Sequence, residues 1–220
     1  MIGVYMNYKL VIFDLDGVLV DACEWHRVAL NESLKDVCDY EISLKDHYST
    51  FNGIPTKTKL NKLTEMGILP KEKHDLIYNL KQKKTIETIN KHAQLRQEKI
   101  DLLSWIKEQN ITVACYTNSI RETAELMLEK TGVIKIFDLI LTNQDVNNPK
   151  PDPEGYNYIV EKYKINKDEV LIVEDSPKGT QAALQSGCNV WKVDNPDQVN
   201  IENMKEYVNE SFNSNGGSRQ

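Results

Sequence analysis

The sequence predicts an α/β protein whose core is a parallel sheet with helices on both faces. Short apolar runs alternate with segments of helical periodicity, and each run ends at a polar or glycine-bearing turn. Buried parallel strands have this continuous apolar character because both faces of the sheet are covered. The chain has 220 residues, 40% of them hydrophobic, which is enough for one such core with a small insert.

The predicted strands are five short segments separated by helical periodicity. In chain order they are Tyr8–Phe13, Thr112–Tyr116, Leu139–Leu141, Val170–Val173 and Val190–Val193. Between them, apolar positions recur every three or four residues, as at Ile100, Leu103 and Ile106. This spacing predicts helices that pack on the sheet.

The interval 23–91 contains no convincing strand and is predicted to be an inserted α-helical cap domain. Three helices are indicated by apolar spacing: one with Trp25, Val28, Ala29, Leu34 and Val37, one with Leu60, Leu63 and Met66, and one with Leu76, Ile77 and Leu80. Residues 1–22 and 92–210 would then form the core domain. The polar tail at 211–220 is expected to be disordered.

The charge balance bears on the kind of partner that the protein binds. The net charge of −6 and the pI of about 5.3 argue against binding to nucleic acid or to an anionic membrane. Residues 57–99 nevertheless hold eleven Lys or Arg against five Asp or Glu. A basic segment beside an acidic remainder fits an anionic small-molecule substrate, and solvated helical faces are the alternative explanation. Nothing in the sequence indicates an oligomeric state.

No targeting signal or membrane span is recognisable in the sequence. The apolar run Leu10–Phe13 is too short to cross a membrane, and it has no basic leader before it. The four cysteines are scattered without CxxC spacing, which argues against a structural zinc site and against a disulfide framework. A reducing cytoplasm is therefore the expected compartment.

The residues that directly follow the predicted strands carry the candidate chemistry, because ligands in open α/β sheets bind beyond the carboxyl ends of the strands. The first strand is followed by Asp14, Asp16 and Gly17. Two carboxylates at this spacing can point to the same side. One is a feasible nucleophile toward phosphorus if a metal neutralises charge. The second is expected to have a raised pKa and to hold a proton for a leaving group. A polar turn or a helix cap is the alternative.

Three later motifs have the same kind of placement. Thr117 and Asn118 follow the second strand and can donate hydrogen bonds to phosphate oxygens, while Lys150 lies in a loop stiffened by prolines. Glu174 and Asp175 directly follow the fourth strand, and magnesium prefers such carboxylate oxygens. Taken singly, each motif has a simpler alternative: a helix N-cap, an exposed loop lysine, or solvated acids beside a Ser176 cap.

In their order along the chain, the four motifs resemble those of haloacid dehalogenase-like hydrolases. They are Asp-Leu-Asp-Gly at 14–17, Thr-Asn-Ser at 117–119, Lys-Pro-Asp-Pro at 150–153 and Glu-Asp-Ser at 174–176. Segments 13–21 and 175–183 resemble the branch that contains β-phosphoglucomutase and phosphoglycolate-type phosphatases. The resemblance implies a Rossmann-like, doubly wound core with a helical cap, a Mg²⁺ cofactor and a small phosphorylated metabolite as substrate.

The resemblance also implies a role for each motif residue. Asp14 would be the nucleophile and a magnesium ligand. Asp16 would be the general acid and base, and its backbone carbonyl would contact the metal. The remaining roles would be phosphoryl binding by Thr117, Asn118 and Lys150, with Lys150 also stabilising charge, and metal binding by Asp175 with assistance from Glu174.

The second acid, Asp16, favours phosphoryl transfer over dehalogenation, because an alkoxide leaving group needs a proton and a halide does not. Sugar-phosphate mutases of this branch carry an arginine in a Gly-x-Ser-Arg cap loop, and this chain has Thr56 at that position. The predicted function is therefore magnesium-dependent hydrolysis of a small phosphomonoester through an aspartyl-phosphate. A sugar-phosphate mutase and a non-catalytic binding protein are the alternatives.

Four residues of the predicted cap are further candidates for contact with the substrate or with the catalytic acid. Thr56, Lys57 and Lys59 lie in or next to the loop just described, and either lysine would suit an anionic substrate. His26 lies twelve residues after Asp14 and would hydrogen-bond Asp16 in one state of the cap. The alternatives are helix-surface lysines and a histidine with a structural partner.

Overall fold

The core is a five-stranded parallel sheet. The computed structural model describes residues 6–216, and side chains as far as residue 210. The strands are β1 (Leu10–Phe13), β2 (Thr112–Tyr116), β3 (Leu139–Leu141), β4 (Val170–Glu174) and β5 (Asn189–Lys192). Their order across the sheet is β3-β2-β1-β4-β5. The predicted doubly wound α/β fold is confirmed.

Hydrogen-bonded pairing explains where the strand bounds differ from those predicted. The bounds of β2 and β3 agree with the prediction, whereas β1 begins at Leu10, the first residue that pairs with both β2 and β4. Strand β4 extends to Glu174, which pairs with Lys192 in β5. Glu174, the first acid of its motif, is therefore itself a residue of the sheet.

The centre of the sheet is a topological switch point. From β1 the chain continues to β2 and β3 on one side, then returns to place β4 and β5 on the other. The carboxyl ends of β1, β2 and β4 are therefore neighbours. In sheets of this topology the crevice beyond such a point is the usual ligand site.

Helices cover both faces of the sheet, and the alternation of side chains along β1 divides the core in two. Val11 and Phe13 pack with α5 (Gln97–Glu108), α6 (Arg121–Lys130) and α9 (Ile201–Gly216). Leu10 and Ile12 pack on the opposite face with α7 (Glu154–Tyr163) and α8 (Pro177–Ser186). This two-residue period is the one expected of a strand that is buried on both sides.

The interval 23–91 contains helices and turns and no strand, as the sequence predicted. The helices are α1 (Cys23–Cys38), α2 (Leu44–Asp46), α3 (Thr56–Glu65) and α4 (His74–His92), with a π-helical turn at His47–Phe51. Helices α1, α3 and α4 and the π-helical turn share a separate apolar cluster that includes Leu30, Leu34, Phe51, Leu63 and Ile77. Met66 and Leu76, which the apolar spacing had placed on inner faces, are each 58% exposed.

Short 3₁₀ turns at Lys71–Lys73, Ile134–Ile136, Lys167–Glu169 and Pro196–Gln198 complete the described elements. The backbone of 211–216, predicted to belong to a disordered tail, continues α9, and residues 217–220 lie outside the described residues. Across residues 6–216, no helix has the length and apolar character needed to span a membrane.

Candidate active site

Asp14 stands at the end of β1 in contact with a buried lysine. Lys150 Nζ donates to Asp14 Oδ1 at 2.6 Å, to Glu174 Oε1 at 2.6 Å and to the carbonyl of Tyr116 at 2.8 Å. The lysine is only 3% exposed, so the alternative of an exposed loop lysine is wrong. The structure therefore brings three of the predicted residues together around one ammonium group.

Glu174 and Asp175 carry acceptor atoms that no described group satisfies. Glu174 is fully buried, and its Oε1 accepts from Lys150 and from the hydroxyl of Tyr156 at 2.6 Å. Glu174 Oε2 and Asp175 Oδ1 are buried without a hydrogen-bond partner among the described residues. Ser176 does cap α8 by accepting from the Gly179 amide, but the two acids before it are not solvated surface groups, since Glu174 is fully buried and Asp175 is half-buried. Buried oxygens of this kind are costly unless a cation or donor reaches them.

The acids fit a divalent cation. One oxygen each from Asp14, Glu174 and Asp175 lies within 4.8 Å of the others. Burial, opposed by Lys150 and reinforced by Glu174, raises the pKa of Asp14 well above its usual value. Burial and the charge of Glu174 raise the pKa of Asp175 to about 7. One lysine therefore does not compensate three carboxylates, and Mg²⁺, which prefers carboxylate oxygens, suits the remaining negative charge.

Asp16 has different hydrogen-bonding partners from those of the other acids. Its Oδ1 contacts His26 Nε2 at 2.9 Å, and its Oδ2 accepts from the Ser119 hydroxyl at 2.8 Å and the Thr117 hydroxyl at 3.2 Å. Burial alone would raise its pKa, but His26 and the two hydroxyl donors outweigh burial and lower it to about 2. The expectation of a raised pKa at the second carboxylate is therefore wrong for this arrangement.

His26 connects Asp16 to the helices of the 23–91 interval. The other ring nitrogen, Nδ1, lies 3.0 Å from Lys81 Nζ, on α4. Lys81 is 5% exposed, whereas the side chains of His26 and Asp16 are 14% and 18% exposed, so the Asp16–His26–Lys81 chain of contacts is largely but not wholly buried. The predicted contact between His26 and Asp16 is present in this conformation.

The residues that follow β2 hold neighbouring segments together. Asn118 Nδ2 donates to the carbonyls of Gly53 at 2.8 Å and Lys150 at 3.0 Å. Its Oδ1 accepts from the Lys150 amide at 3.2 Å. The N-cap position of α6 is occupied by Ile120, so neither Asn118 nor Ser119 caps that helix, as the simpler alternative required.

All four predicted residues of the 23–91 interval line one cavity with the acids. Its volume is about 390 Å³, a size suited to a small metabolite. Its lining includes Asp14, Asp16, Asp175, Lys150, Thr117, Asn118, His26, Thr56, Lys57 and Lys59. Glu174 lies beneath this surface, fully buried behind Lys150.

Sequence reasoning missed three residues that contact the predicted ones. Tyr156 was counted among the apolar positions of a helix, although its hydroxyl donates a hydrogen bond to Glu174. Lys81 lies in a lysine-rich helix, where the sequence gives no reason to single it out. Ser119 belongs to the Thr-Asn-Ser motif, and that placement was a signal that could have assigned it to Asp16.

Gly17 allows Asp175 to approach the turn after β1. Its φ is +91°, and an added Cβ would lie 2.2 Å from Asp175 Oδ2. We expect Gly17→Ala to lose about 1–3 kcal/mol through backbone strain and, by displacing Asp175, about tenfold or more in Mg²⁺ affinity. Thermal unfolding and calorimetric Mg²⁺ titration measure the two effects.

Gly67→Ala is the matched control for this prediction. Gly67 also has a positive φ, +73°, but an added Cβ would meet nothing within 4 Å. Gly67→Ala should therefore lose stability through backbone strain but keep the Mg²⁺ affinity of wild type. Equal Mg²⁺ affinities for the two variants would contradict a role for Asp175 in metal binding.

Comparisons with known proteins agree with this geometry. A family model described as "Haloacid dehalogenase-like hydrolase" matches residues 11–193, which is most of the chain. Among curated proteins, the chain is 24% identical to pyrophosphatase PpaX of Oceanobacillus iheyensis, over 92% of this chain and 96% of that protein. It is 28% identical to the phosphorylated carbohydrates phosphatase of Thermotoga maritima, over 81% of this chain and 82% of that protein.

Among solved structures, the fold is similar to that of β-phosphoglucomutase from Clostridium difficile. The TM-score is 0.79 at 22% sequence identity, and the match covers 93% of this chain and 99% of that one. At this identity the likeness concerns the fold.

Proposed function

The chain belongs to the haloacid dehalogenase-like hydrolase family, and from this premise we propose that it is a magnesium-dependent phosphatase of small phosphomonoesters. A hydrolase acting on phosphate esters agrees with the names of its relatives, which include a pyrophosphatase and a phosphorylated carbohydrates phosphatase. The reaction would proceed through an aspartyl-phosphate on Asp14.

The observation that carries this proposal is the acid cluster at the switch point. Asp14, Glu174 and Asp175 face one another within 4.8 Å, and two of their oxygens are buried without a partner. Lys150 contacts two of these acids at 2.6 Å. A site that concentrates negative charge and opens into a cavity is suited to holding a cation against an anionic ester.

Asp14 is the proposed nucleophile. Its Oδ1 accepts from Lys150, and among the described residues no hydrogen bond is made to Oδ2. In the first step a carboxylate oxygen of Asp14 bonds to phosphorus as the bond from phosphorus to the leaving oxygen breaks. Asp16 is ionised in its present contacts with His26, Thr117 and Ser119, because they lower its pKa to about 2, so it would have to take up a proton from solvent when substrate entry changes these contacts. It would then give that proton to the leaving oxygen and take one back from the water that hydrolyses the aspartyl-phosphate. His26, hydrogen-bonded to Asp16, sets the orientation of that acid.

The proposed metal ligands are side-chain oxygens of Asp14 and Asp175 and the backbone carbonyl of Asp16, with Glu174 assisting. When bound there, Mg²⁺ neutralises charge on the phosphoryl oxygens and on the attacking carboxylate. Thr117 and Asn118 would hydrogen-bond the phosphoryl group. Because both hydrogen bonds that Asn118 Nδ2 donates go to backbone carbonyls, we expect it to exchange one of them for a phosphoryl oxygen when a phosphoryl group enters.

We further propose that residues 23–91 act as a cap on a core made of 1–22 and 92–210. The cap helices have their own apolar cluster, and they supply His26, Thr56, Lys57 and Lys59 to the cavity wall. The hydrogen bond from Asn118 to the Gly53 carbonyl joins the two parts. Closure of such a cap would exclude water from the reacting groups.

A phosphate-release screen tests the function. We expect Mg²⁺-dependent release of inorganic phosphate from at least some sugar phosphates, nucleotides and small acid phosphates, and loss of at least about 90% of that release when EDTA removes the metal. Activity should return on addition of Mg²⁺. Malachite-green detection of phosphate measures both, and product analysis by NMR identifies the dephosphorylated compound.

Two outcomes would overturn the proposal. Isomerised sugar phosphate that requires a bisphosphate activator, without net phosphate release, would assign a mutase. Ligand binding without turnover across the whole panel would assign a non-catalytic binding protein that keeps the fold.

A further inference from the structure

The cavity has two walls of opposite charge. Its acidic lining residues, Asp14, Asp16 and Asp175, all come from the ends of β1 and β4. The part of the lining that comes from 23–91 includes no Asp or Glu. It carries instead five basic side chains: His26, His47, Lys57, Lys59 and Lys81. The Mg²⁺ and phosphoryl groups belong to the acidic wall, which leaves the basic wall without an assigned ligand.

Lys59 on α3 is the unusual member of this basic wall. Four lysines are buried in the described part of the chain. Three of them have partners: Lys81 contacts His26, Lys99 donates to backbone carbonyls, and Lys150 binds carboxylates. The Lys59 ammonium has neither a hydrogen-bond nor an ion-pair partner among the described residues, although the residue is only 7% exposed.

Lys59 Nζ is not among the atoms that are both fully buried and unpartnered, so the ammonium opens onto the cavity that the residue lines. An ammonium with so little contact with water and no protein partner is unfavourable, and its neighbours increase the cost. Burial lowers the pKa of Lys59 to about 8. Burial, and then the charge of Lys59, lowers the pKa of Lys81 to about 7, so the two ammonium groups are close enough to repel. An anion bound between them would relieve both the desolvation and the repulsion.

The two neighbouring candidates do not share this feature. Lys57 is exposed, and its ammonium lies 5.5 Å from the centre of the Tyr78 ring, a cation–π contact within the cap. Thr56 is uncharged. The alternative of a solvated helix-surface lysine therefore fits Lys57 and is excluded for Lys59 by its burial.

We propose that Lys59, with Lys81 beside it, forms a subsite for a second anionic group of the substrate. The substrates would then be small phosphomonoesters that also carry a carboxylate or another phosphate. The phosphoryl group would lie against the acidic wall and the second anion against the basic wall of the same 390 Å³ cavity. This inference rests on the proposed phosphatase function and specifies its substrate class.

Binding of non-hydrolysable probes tests the subsite without turnover. The probes are methylphosphonate, phosphonoacetate and methylenediphosphonate, titrated calorimetrically into the full chain with excess Mg²⁺. Phosphonoacetate and methylenediphosphonate each have two anionic groups, whereas methylphosphonate has one. We expect wild type to bind at least one of these two-group probes about tenfold or more tightly than methylphosphonate. The probe with that advantage distinguishes a carboxylate from a second phosphate.

Substitution of Lys59 should remove this advantage specifically. In Lys59→Met the affinity for the probes with two anionic groups should fall about tenfold, while the affinity for methylphosphonate should stay within about twofold of the wild-type value. Lys59→Gln is a second variant that keeps a polar side chain. Lys62→Met is the matched control, on the same helix but outside the cavity lining, and should bind all three probes like wild type.

Three results would overturn the subsite. The first is that wild type binds all three probes with similar affinity. The second is that the Lys59 variants lose the same affinity for all three probes. The third is that circular dichroism shows both variants to be unfolded, which would indicate a structural role for Lys59. Because no probe is hydrolysed, a protein that fails the phosphate-release screen yet passes this test refutes the phosphatase function alone.

Discussion

Asp14→Asn should abolish Mg²⁺-dependent hydrolysis while leaving the fold intact. We expect a loss of about 10³-fold or more in turnover of an aryl phosphate, because an amide cannot act as the nucleophile toward phosphorus. Burial, and then the charges of Glu174 and Asp175, raise the pKa of Asp14, so the substitution removes an unfavourable buried charge, while it weakens the contact with Lys150. These two effects oppose each other, so the free energy of unfolding should change little.

Steady-state kinetics and thermal unfolding of the same preparation separate the two parts of this prediction. Asp152→Asn is a suitable control, because Asp152 lies in the Lys-Pro-Asp-Pro motif but outside the cavity lining. Its turnover should match that of wild type. Near-wild-type turnover in Asp14→Asn would reject the nucleophile assignment.

Lys150→Met should damage both stability and activity. Its ammonium is the partner of Asp14 and Glu174, and without it these acids remain buried and uncompensated. Removing one partner of such a buried ion pair costs about 3–5 kcal/mol. Turnover should fall by about 10³-fold or more, since charge stabilisation at the phosphoryl group is also lost. Urea unfolding and phosphate release measure the two losses.

Lys99→Met is the matched control for this pair of effects. Lys99 is another buried lysine, but it donates to the carbonyls of Pro196 and Val199, and it does not line the cavity. We expect it to lose stability, by about 1–3 kcal/mol for the unsatisfied carbonyls, and to keep its turnover per folded molecule. Comparable turnover losses in the two variants would contradict a catalytic role for Lys150.

The sheet and its acid cluster were predictable from the sequence because their signals are local. Apolar runs of three to six residues identified the strands, and the chemistry followed each run directly. Parallel strands bring their carboxyl ends to one edge, so Asp14 and Asp175 had to meet once the strand order placed β4 beside β1. The strand bounds were off by one or two residues, since pairing with neighbours sets them.

The surroundings of each acid were not predictable, because they depend on contacts between distant segments. Asp16 has a low pKa because His26, Thr117 and Ser119 surround it, and two of these follow it by about a hundred positions. Lys59 and Lys57 look equivalent in the sequence, and only the packing of α3 buries one of them. Sequence patterns identify the residue types but do not show which of them lose their contact with water.

The central position of β1 has a consequence for how the protein acquires its function during synthesis. Its partners on either side come from much later in the chain, and Asp14 meets Lys150 across 136 positions. Contacts so remote in sequence require long loops to close before they stabilise anything, which slows folding. A ribosome-bound chain that ends before β4 has its first acid but not its last two. Metal binding should therefore begin only after β4 has emerged, and it would report the pairing of β4 with β1.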